Sequence, residues 1–300
     1  MPNFIMLVGI PGCGKSTYTK DLADKGYSIF SSDAIRDELN MHNPRQSGII
    51  FDIMHKRIKK DMDNGKDIVY DATNMSRKNR VAYLETIKSY TDYKKICYLF
   101  IVPIDVCKER NSHREGYAKV PDEVYDKMLC NFQTPMMEEG WDEIVPILYD
   151  KDFKLDFGDL NQFNQDNHNH ALTLGQHMTA ATKYLEDNGA DEVLIEAAKW
   201  HDIGKFYTKK FENYKGEPTT EAHFYNHENY GAYVYLLIWL KNQNIPFEKA
   251  LEVSQIINWH MAPYIRWGKS TKAYNNDRKL VTEEFINRVN LFHAADEYAH

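Results

Sequence analysis

A glycine-rich stretch near the N-terminus carries the clearest chemistry of the chain. Gly9–Ser16 has the sequence GIPGCGKS, which fits G-x-x-x-x-G-K-[ST] and directly follows an apolar run at residues 4–8. In such a loop the backbone N–H groups surround phosphate oxygens, the lysine reaches the terminal phosphates and the hydroxyl holds Mg²⁺. The stretch predicts a strand, a phosphate-binding loop and a helix, and therefore a site for ATP with Mg²⁺.

Basic residues after the fourth apolar run extend this predicted site. Arg110 and Arg114 lie in a polar segment, and their guanidinium groups are suited to closing over a triphosphate. An exposed basic helix is the structural alternative. The predicted ATP ligands are Gly9, Pro11, Gly12, Cys13, Gly14, Lys15, Ser16, Thr17, Arg110 and Arg114.

Polar residues follow the second and third apolar runs and predict an acceptor site. Asp33 is placed to take a proton from an acceptor hydroxyl, and Arg36 to hold a phosphate of that acceptor. The alternative for Asp33 is helix capping. Asp71, Thr73 and Asn74 suit a Mg²⁺ shell or acceptor contacts, with turn formation as their alternative.

The second half of the chain carries a different set of chemical groups, dominated by histidine and aspartate. His201 and Asp202 are adjacent at the end of a predicted helix, and imidazole with carboxylate suits Mn²⁺, Fe, Ni²⁺, Co²⁺ or Zn²⁺. A satisfied core or surface histidine is the ordinary alternative. Further candidates lie on other predicted helices and segments: His177, His223, His227, His260 and Asp296.

The elements that position these groups differ between the halves. Apolar runs at residues 4–8, 27–30, 67–70, 95–102 and 143–148 alternate with helix-length polar segments, which predicts a parallel α/β sheet. Helical periodicity at residues 172–188, 191–201, 228–242, 246–260 and 282–300 predicts an all-α second domain. We therefore assign residues 1–150 to the first domain, 151–169 to a linker or capping segment, and 170–300 to the second domain.

Composition narrows the class of protein. A net charge of −7 argues against a protein that coats nucleic acid nonspecifically, although an enzyme that grips one end of a strand is compatible with it. The four cysteines form no C-x-x-C pair and predict free thiols. Without an apolar stretch of ~18 residues or a basic, cleavable leader, we expect a cytoplasmic protein with no membrane partner.

The motifs of the first half, taken together and in this order, resemble the 5′-kinase domain of bacteriophage polynucleotide kinase. That resemblance implies that Lys15 and Ser16 bind phosphate and Mg²⁺, that Asp33 is the general base toward a 5′-hydroxyl, and that Arg114 is the lid arginine supported by Arg110. Asp71 stands one residue earlier than in the phage pattern. The Asp-x-Asp-Gly-Thr signature of the phage phosphatase domain is absent.

The second half resembles the HD phosphohydrolase superfamily. The resemblance implies four core metal ligands (His177, His201, Asp202 and Asp296), a second metal at His227 and His260, and Lys205 as an electrophile near the scissile phosphate. His223 is an alternative to His227, and no ligand role is expected for His168 or His170. Such a site lowers the pKa of a bound water and polarises the phosphate.

The combination resembles the bacterial HD-polynucleotide kinase type with its domains in reversed order. It predicts an end-healing enzyme that phosphorylates 5′-hydroxyl ends of RNA or DNA and removes a 2′-, 3′- or 2′,3′-cyclic phosphate, acting before an RNA ligase. One alternative is a metabolite or nucleoside kinase joined to an HD nucleotidase or phosphodiesterase. A sensor or scaffold without turnover is the other.

Overall fold

The computed structural model describes residues 1–168 and 171–300. The chain forms two compact units. The first contains Met1–Met128 and Pro135–Lys151, and the second contains Leu129–Thr134 and Asp152–His300. No helix in the described residues is long and apolar enough to span a membrane.

A five-stranded parallel sheet forms the centre of the first unit. Its strands are β1 (Asn3–Val8), β2 (Ser28–Ser31), β3 (Ile68–Asp71), β4 (Lys94–Ile101) and β5 (Glu143–Leu148). They are arranged in the order β2-β3-β1-β4-β5. Near-continuous apolar runs specify such strands because both faces of a parallel sheet are covered by helices. The predicted α/β fold of this half is confirmed.

Six α-helices connect these strands. They are α1 (Lys15–Asp24), α2 (Ser32–Leu39), α3 (Ser47–Met62), α4 (Arg77–Thr86), α5 (Ile104–Ser112) and α6 (Asp122–Leu129). The carboxyl ends of β1, β2 and β3 meet at one edge of the sheet: Ser31 is in register with Asp71, and the Gly9 N–H donates to the Thr73 carbonyl at 3.0 Å. The loops that carry the predicted chemistry therefore converge there.

A buried ion pair fixes the loop after β3. The Arg80 guanidinium, fully buried, donates to both carboxylate oxygens of Glu139 at 2.7 and 2.6 Å. The same guanidinium donates to the carbonyls of Asn74 and Met75 at 2.9 and 3.1 Å. Because these contacts pair the charge and hold two backbone groups, Arg80 acts as the internal support of this loop.

The second unit is helical, as the periodicity predicted. Its helices are α7 (Leu174–Asp187), α8 (Glu192–Trp200), α9 (Lys205–Thr208), α10 (His227–Asn242), α11 (Phe247–Trp259), α12 (Thr271–Asp277) and α13 (Glu283–Tyr298). Helix α10 is buried continuously from Tyr230 to Leu240, which explains why its sequence is apolar on all sides.

The second unit also contains a short antiparallel hairpin that the sequence analysis did not anticipate. Strands β6 (Lys210–Glu212) and β7 (Pro218–His223) pair with an irregular register, and Gly216 adopts a φ of +81° in the turn between them. All three residues of β6 are exposed, and two of them are charged. Without a buried face the strands lack the alternating apolar pattern on which strand prediction rests.

Two segments belong to the second unit although the sequence analysis placed them elsewhere. From the sequence we assign Leu129–Thr134 to the first domain and residues 151–169 to a linker or capping segment, whereas the second unit contains Leu129–Thr134 and begins again at Asp152. A 3₁₀ turn at Leu160–Gln162 lies so close to α7 that a Cβ on Gly175 would approach the Asn161 backbone nitrogen to 2.8 Å. Close packing of this kind cannot be read from the polar composition of the segment.

Candidate functional site

The phosphate loop of the first unit has the backbone geometry that anion binding requires. Gly12 and Gly14 have φ values of +79° and +104°, in the left-handed region that favours glycine. Gly14 begins α1 without a side-chain cap, so the N–H groups of the first helical turn face the loop. A Cβ on Gly12 would lie 2.3 Å from the Cys107 carbonyl oxygen, which makes this position sterically specific.

Basic side chains surround the loop. The Lys15 ammonium donates to the carbonyls of Gly9 and Ile10 at 2.8 and 3.0 Å, and the Arg110 guanidinium donates to the Gly12 carbonyl at 3.1 Å. The Arg110 guanidinium also lies 5.6 Å from the ring centre of Tyr149. These contacts hold two cations at the loop, where they match the charge of a polyphosphate.

Two clefts open on either side of the loop. One, of about 640 Å³, includes Cys13, Thr17, Arg110 and Tyr149 in its lining and is the candidate nucleotide cleft. The other, of about 340 Å³, is the candidate acceptor cleft. Its lining includes Pro11, Lys15, Asp33, Arg36, Asp71 and Thr73.

Three predicted site residues line both clefts: Gly12, Ser16 and Arg114. A group transferred from a nucleotide in one cleft to an acceptor in the other would pass this junction. The position of Arg114 at the junction agrees with the role of a guanidinium that neutralises charge during transfer.

Asp33 does not cap α2, which was the structural alternative for this residue. The helix is capped by the Ser31 hydroxyl, which accepts from the Ala34 N–H. The Asp33 side chain is 88% exposed, and its carboxylate lies 4.0 Å from the Arg36 guanidinium. Arg36 donates to the Ser47 hydroxyl at 3.0 Å. The carboxylate is therefore available to solvent and to a bound acceptor.

The acid that ends β3 has a different environment. Burial raises the pKa of Asp71, and the nearby Asp33 carboxylate raises it further, while Lys15 opposes the shift. Thr73 lines the acceptor cleft beside it. Asn74 is not among the lining residues, because its side-chain amide donates to the Leu7 carbonyl at 2.8 Å and its φ is +49°. The structure thus brings Asp71 and Thr73, and not Asn74, to the acceptor cleft.

The segment that carries Arg114 is closed at its base by a buried asparagine. The Asn111 amide donates to the Val120 carbonyl at 2.6 Å, and the Val120 N–H donates back to the Asn111 side-chain oxygen at 3.0 Å. Asn111 is 2% exposed. This two-way contact ties the ends of residues 112–119 into a defined loop, which we call the lid loop.

In the second unit, four of the predicted metal ligands converge. His177 Nε2 lies 2.9 Å from Asp296 Oδ1 and 3.2 Å from Asp202 Oδ2. His201 Nε2 lies 3.2 Å from His177 Nε2 and 3.3 Å from Asp296 Oδ1. Helices α7 and α13 and the turn after α8 supply these groups, which come from widely separated parts of the sequence.

A second group adjoins the first through the same aspartate. His227 Nε2 lies 3.0 Å from Asp202 Oδ1 and 3.2 Å from His260 Nε2. One oxygen of Asp202 therefore faces His177 and the other faces His227. Asp202, His227 and His260 form one potential metal-binding group, and His177, His201 and Asp202 form another.

The backbone orients all four imidazoles. The Nδ1 atoms lie 2.7–3.2 Å from carbonyl oxygens, which fixes Nδ1 as the protonated nitrogen of a neutral ring. The partners are Ala299 for His177, Ala198 for His201, Phe224 for His227 and Ile257 for His260. Each neutral ring then presents the lone pair of Nε2 to the carboxylates at the centre.

The donor set fits a divalent metal. Facing Nε2 lone pairs repel one another unless a cation lies between them, and two nitrogens that each lie about 2.1 Å from one ion are about 3.0–3.4 Å apart. Burial lowers the pKa of His177, but hydrogen bonds to Asp202 and Asp296 outweigh it and raise the pKa to about 9. Burial, with His227 and His201 nearby, lowers the pKa of His260 to about 3. The carboxylates therefore attract positive charge, which the proton on His177 supplies and which a bound metal ion would supply in its place.

A cavity of about 510 Å³ adjoins these ligands. Asp202, Lys205, His227 and Asp296 are among its lining residues. The Lys205 ammonium lies 2.6 Å from Asp202 Oδ2 and donates to the Gln165 side-chain oxygen at 2.9 Å. This cation stands beside the metal-binding group, where the sequence analysis expected an electrophile.

The other histidines named in the sequence analysis, His223, His168 and His170, are not members of these metal-binding groups. His223 lines the cavity and stacks on Tyr225, and His227 takes the position beside Asp202 for which His223 was the alternative. His168 Nδ1 lies 2.7 Å from Glu221. His170 lies outside the described residues.

Several residues of the two sites were missed by sequence reasoning. His300 offers a ligand atom near His177 and Asp296, and Gln165 holds Lys205. Tyr149 lines the nucleotide cleft and Tyr117 the acceptor cleft. An aromatic residue after Gly116 in a basic segment was the available signal for Tyr117, but the sequence does not show that this segment reaches the acceptor cleft.

Comparison with known proteins assigns the two halves separately. Residues 4–135 match a family model described as an AAA domain, and residues 168–300 match a family model described as an HD domain. The L-seryl-tRNA(Sec) kinase of Methanococcus maripaludis is 26% identical over 207 residues, which cover 67% of this chain and 78% of that kinase. This relative is a seryl-tRNA kinase, and not the polynucleotide kinase expected from the motifs. The chain joins a parallel-sheet, P-loop kinase-like domain to a helical HD domain.

Proposed function

We propose that this protein heals broken nucleic-acid ends. The first unit would phosphorylate a 5′-hydroxyl with ATP and Mg²⁺, and the second would remove a 2′-, 3′- or 2′,3′-cyclic phosphate. The observation that carries the proposal is the exposed Asp33 carboxylate beside Arg36, in a cleft that shares Arg114 and Ser16 with the nucleotide cleft. An RNA ligase could then join the two repaired ends.

In the kinase reaction, Asp33 accepts the proton of the attacking hydroxyl. A bond forms between the acceptor oxygen and the γ-phosphorus, the bond to the oxygen shared with ADP breaks, and ADP leaves. Arg36 binds the phosphate of the acceptor strand, while Lys15 and Arg114 neutralise the charge that spreads over the transferred group. Ser16 contributes its hydroxyl to the Mg²⁺ shell.

In the second unit, His177, His201, Asp202 and Asp296 would hold one metal, and His227 and His260 a second that shares Asp202. A bound divalent ion supplies Lewis acidity and lowers the pKa of water. The chain's own contribution is to fix the ligands through backbone carbonyls, and to place Lys205 where it can pair with a phosphate oxygen. The cavity beside these groups has room for a terminal nucleotide.

The relative's name supports a hydroxyl acceptor carried on RNA. It describes a kinase that acts on seryl-tRNA(Sec). A second candidate acceptor is therefore the side-chain hydroxyl of an aminoacyl group on tRNA, which would use the same Asp33 and Arg36. A nucleoside or small metabolite remains the third candidate, because the acceptor cleft of about 340 Å³ can also hold a small molecule.

The test uses the full chain with [γ-³²P]ATP, Mg²⁺ and an oligoribonucleotide that has a 5′-hydroxyl and a 2′,3′-cyclic phosphate. Both ends are resolved, with and without Mn²⁺ or Ni²⁺. We expect label at the 5′ end and loss of the terminal phosphate. Lys15→Ala should abolish the first change and Asp202→Ala the second.

Parallel reactions with seryl-tRNA(Sec) and with mononucleosides distinguish the other acceptors. Label on the aminoacyl group alone would favour the second candidate, and label on nucleosides alone the third. If neither end of the oligonucleotide changed while another acceptor was labelled, the end-healing proposal would be wrong.

A further inference from the structure

A stacked aromatic pair stands at the acceptor cleft. The rings of His42 and Tyr117 are 4.1 Å apart between centres, and their planes differ by 2°. His42 follows α2, and Tyr117 lies in a 3₁₀ turn of the lid loop, Gly116–Ala118. Tyr117 is 80% exposed, whereas the His42 side chain is 16% exposed. One face of the tyrosine ring is therefore supported by His42, and the ring remains open to solvent elsewhere.

This arrangement is held in place on both sides. Gly116 adopts a φ of +58°, which sets the direction of the turn that presents Tyr117, and Asn111 closes the base of the lid loop through Val120. His42 Nδ1 lies 3.8 Å from the Asp37 carboxylate. An aromatic face that is already ordered loses little conformational entropy when a planar ligand stacks on it.

The pair belongs to the same cleft as the groups of the proposed kinase reaction. His42 and Tyr117 line it together with Asp33, Arg36 and Arg114. The cleft thus combines a carboxylate for a hydroxyl, a guanidinium for a phosphate and an aromatic face for a flat ring. A nucleotide at the end of a strand carries a hydroxyl, a phosphate and a base together, while a small polyol lacks the ring and a nucleoside lacks the phosphate.

We propose that Tyr117, supported by His42, is a subsite that stacks a nucleobase of the acceptor strand. The subsite rests on the proposed function, because it assigns the acceptor of that same kinase site to the class of base-bearing polynucleotide ends. Every base has a π face, so stacking favours the presence of a base and discriminates little among base types. The terminal or the adjacent base of a single-stranded 5′ end would occupy it.

The experiment compares two 5′-hydroxyl oligoribonucleotides that differ in whether their first two nucleotides carry bases or are abasic. For the wild-type chain we expect a KM about tenfold lower with the base-bearing oligonucleotide, the size of effect typical of one stacked base. Tyr117→Ala should raise that KM about tenfold and make the two substrates nearly equal. Tyr117→Phe, which keeps the ring, should retain the preference.

A matched control comes from the other unit. Tyr214 is 87% exposed, and Tyr214→Ala should leave the kinase preference unchanged. The KM for ATP, measured for each variant, reports whether the lid loop still folds. A second measurement uses the tryptophan fluorescence of Tyr117→Trp. The base-bearing oligonucleotide should quench it more than it quenches the wild-type chain, and the abasic oligonucleotide should add no such quenching.

The possible failures are distinct. A wild-type enzyme that phosphorylates both oligonucleotides with the same KM would overturn the stacking subsite and leave the proposed function intact. A wild-type enzyme that phosphorylates neither would overturn the proposed kinase function, and the subsite with it. A preference that persists in Tyr117→Ala would assign base recognition to other residues and would also contradict the subsite.

Discussion

The two candidate sites hold their acidic groups in opposite ways. Asp33 exposes 88% of its side chain, whereas Asp202 exposes 2% and lies within 3.7 Å of four imidazole nitrogens. Water stabilises the charge of an exposed carboxylate, but a buried one remains charged only where cations or hydrogen-bond donors compensate it. The geometry of the first site therefore depends on where the edge of the sheet places its side chains. The second site depends on the pairing of its buried carboxylates with neighbouring cationic or hydrogen-bonding groups.

The comparison extends to the scaffold of each site. The phosphate loop presents backbone N–H groups, which carry no net charge and need no ion to be stable. The histidine–aspartate group of the second unit instead concentrates two carboxylates and four imidazoles in a buried space. We therefore expect the first unit to stay folded without the Asp33 carboxylate, and the second unit to gain stability when a metal ion binds.

The largest expected effect concerns catalysis at the exposed acid. Asp33→Asn should lower the kcat for phosphoryl transfer about 10²–10⁴-fold, because the amide cannot accept the hydroxyl proton. ATP affinity and thermal stability should stay near the wild-type values, since the side chain is exposed. Transfer assays and ATP titration measure the two quantities. Asp24→Asn, an exposed change at the end of α1, is the control; equal losses in both variants would contradict the assignment.

The buried acid should behave differently. Asp202→Asn is expected to lower phosphohydrolase activity more than about 100-fold, which exceeds typical losses for groups that only orient a ligand. It should also reduce the bound metal measured by elemental analysis, while 5′-kinase activity persists. Asp187→Asn, 63% exposed on α7, is the matched control. Full metal content in Asp202→Asn would show that Asp202 is not a ligand.

Buried and exposed ion pairs within the first unit sharpen the same contrast. Arg80→Met removes the closest cation from the buried Glu139 carboxylate, which keeps the Arg77 guanidinium at 3.5 Å and the Trp141 indole N–H at 3.2 Å. The change should lower the free energy of unfolding by about 3 kcal/mol, the lower end of the range for a broken buried ion pair. Arg57→Met breaks a similar contact to Glu38 at the surface, where both side chains are about half exposed, and should cost far less because solvent screens the exposed pair. Urea unfolding of both variants gives the comparison, and equal costs would contradict it.

The last expected effect is that of the ion on stability. Mn²⁺ or Ni²⁺ at about 100 times its Kd should stabilise the second unit by about 2.7 kcal/mol, and a chelator should reverse the change. Hydrogen exchange resolves the units: protection should rise in α7, α8 and α10 and stay constant in β1, β3 and β4. A uniform rise along the chain, or none, would contradict the role of the cluster.

Local patterns predicted much of this protein. The strand boundaries lie within about one residue of the apolar runs, because each run ends where the chain leaves the buried sheet, and the phosphate loop is contiguous in sequence. The candidate metal ligands are scattered along the sequence. His177 and Asp296 were predicted to share a site because of the resemblance to the HD superfamily, and not because of helical periodicity. The structure supplies the geometry that joins them.

What the sequence did not predict are pairings across long separations. Tyr117 and His42 meet because the lid loop returns to the end of α2, and Arg80 meets Glu139 because both approach the loop after β3. Neither residue of a pair carries a local signal for the other. The β6–β7 hairpin was missed for another reason, since its strands are short and largely exposed.

The segment Leu129–Thr134 has a consequence for how this protein can be divided. Although it precedes β5 in sequence, it packs with the second unit: the Thr134 hydroxyl lies 2.8 Å from the Ser254 hydroxyl, and the Asn258 amide donates to the Phe132 carbonyl at 3.1 Å. A fragment ending at residue 151 would keep this segment and lose its partners, exposing the buried Phe132 ring. A single cut at residue 151 therefore cannot yield two intact units, because the segment that completes the second unit would stay on the first fragment.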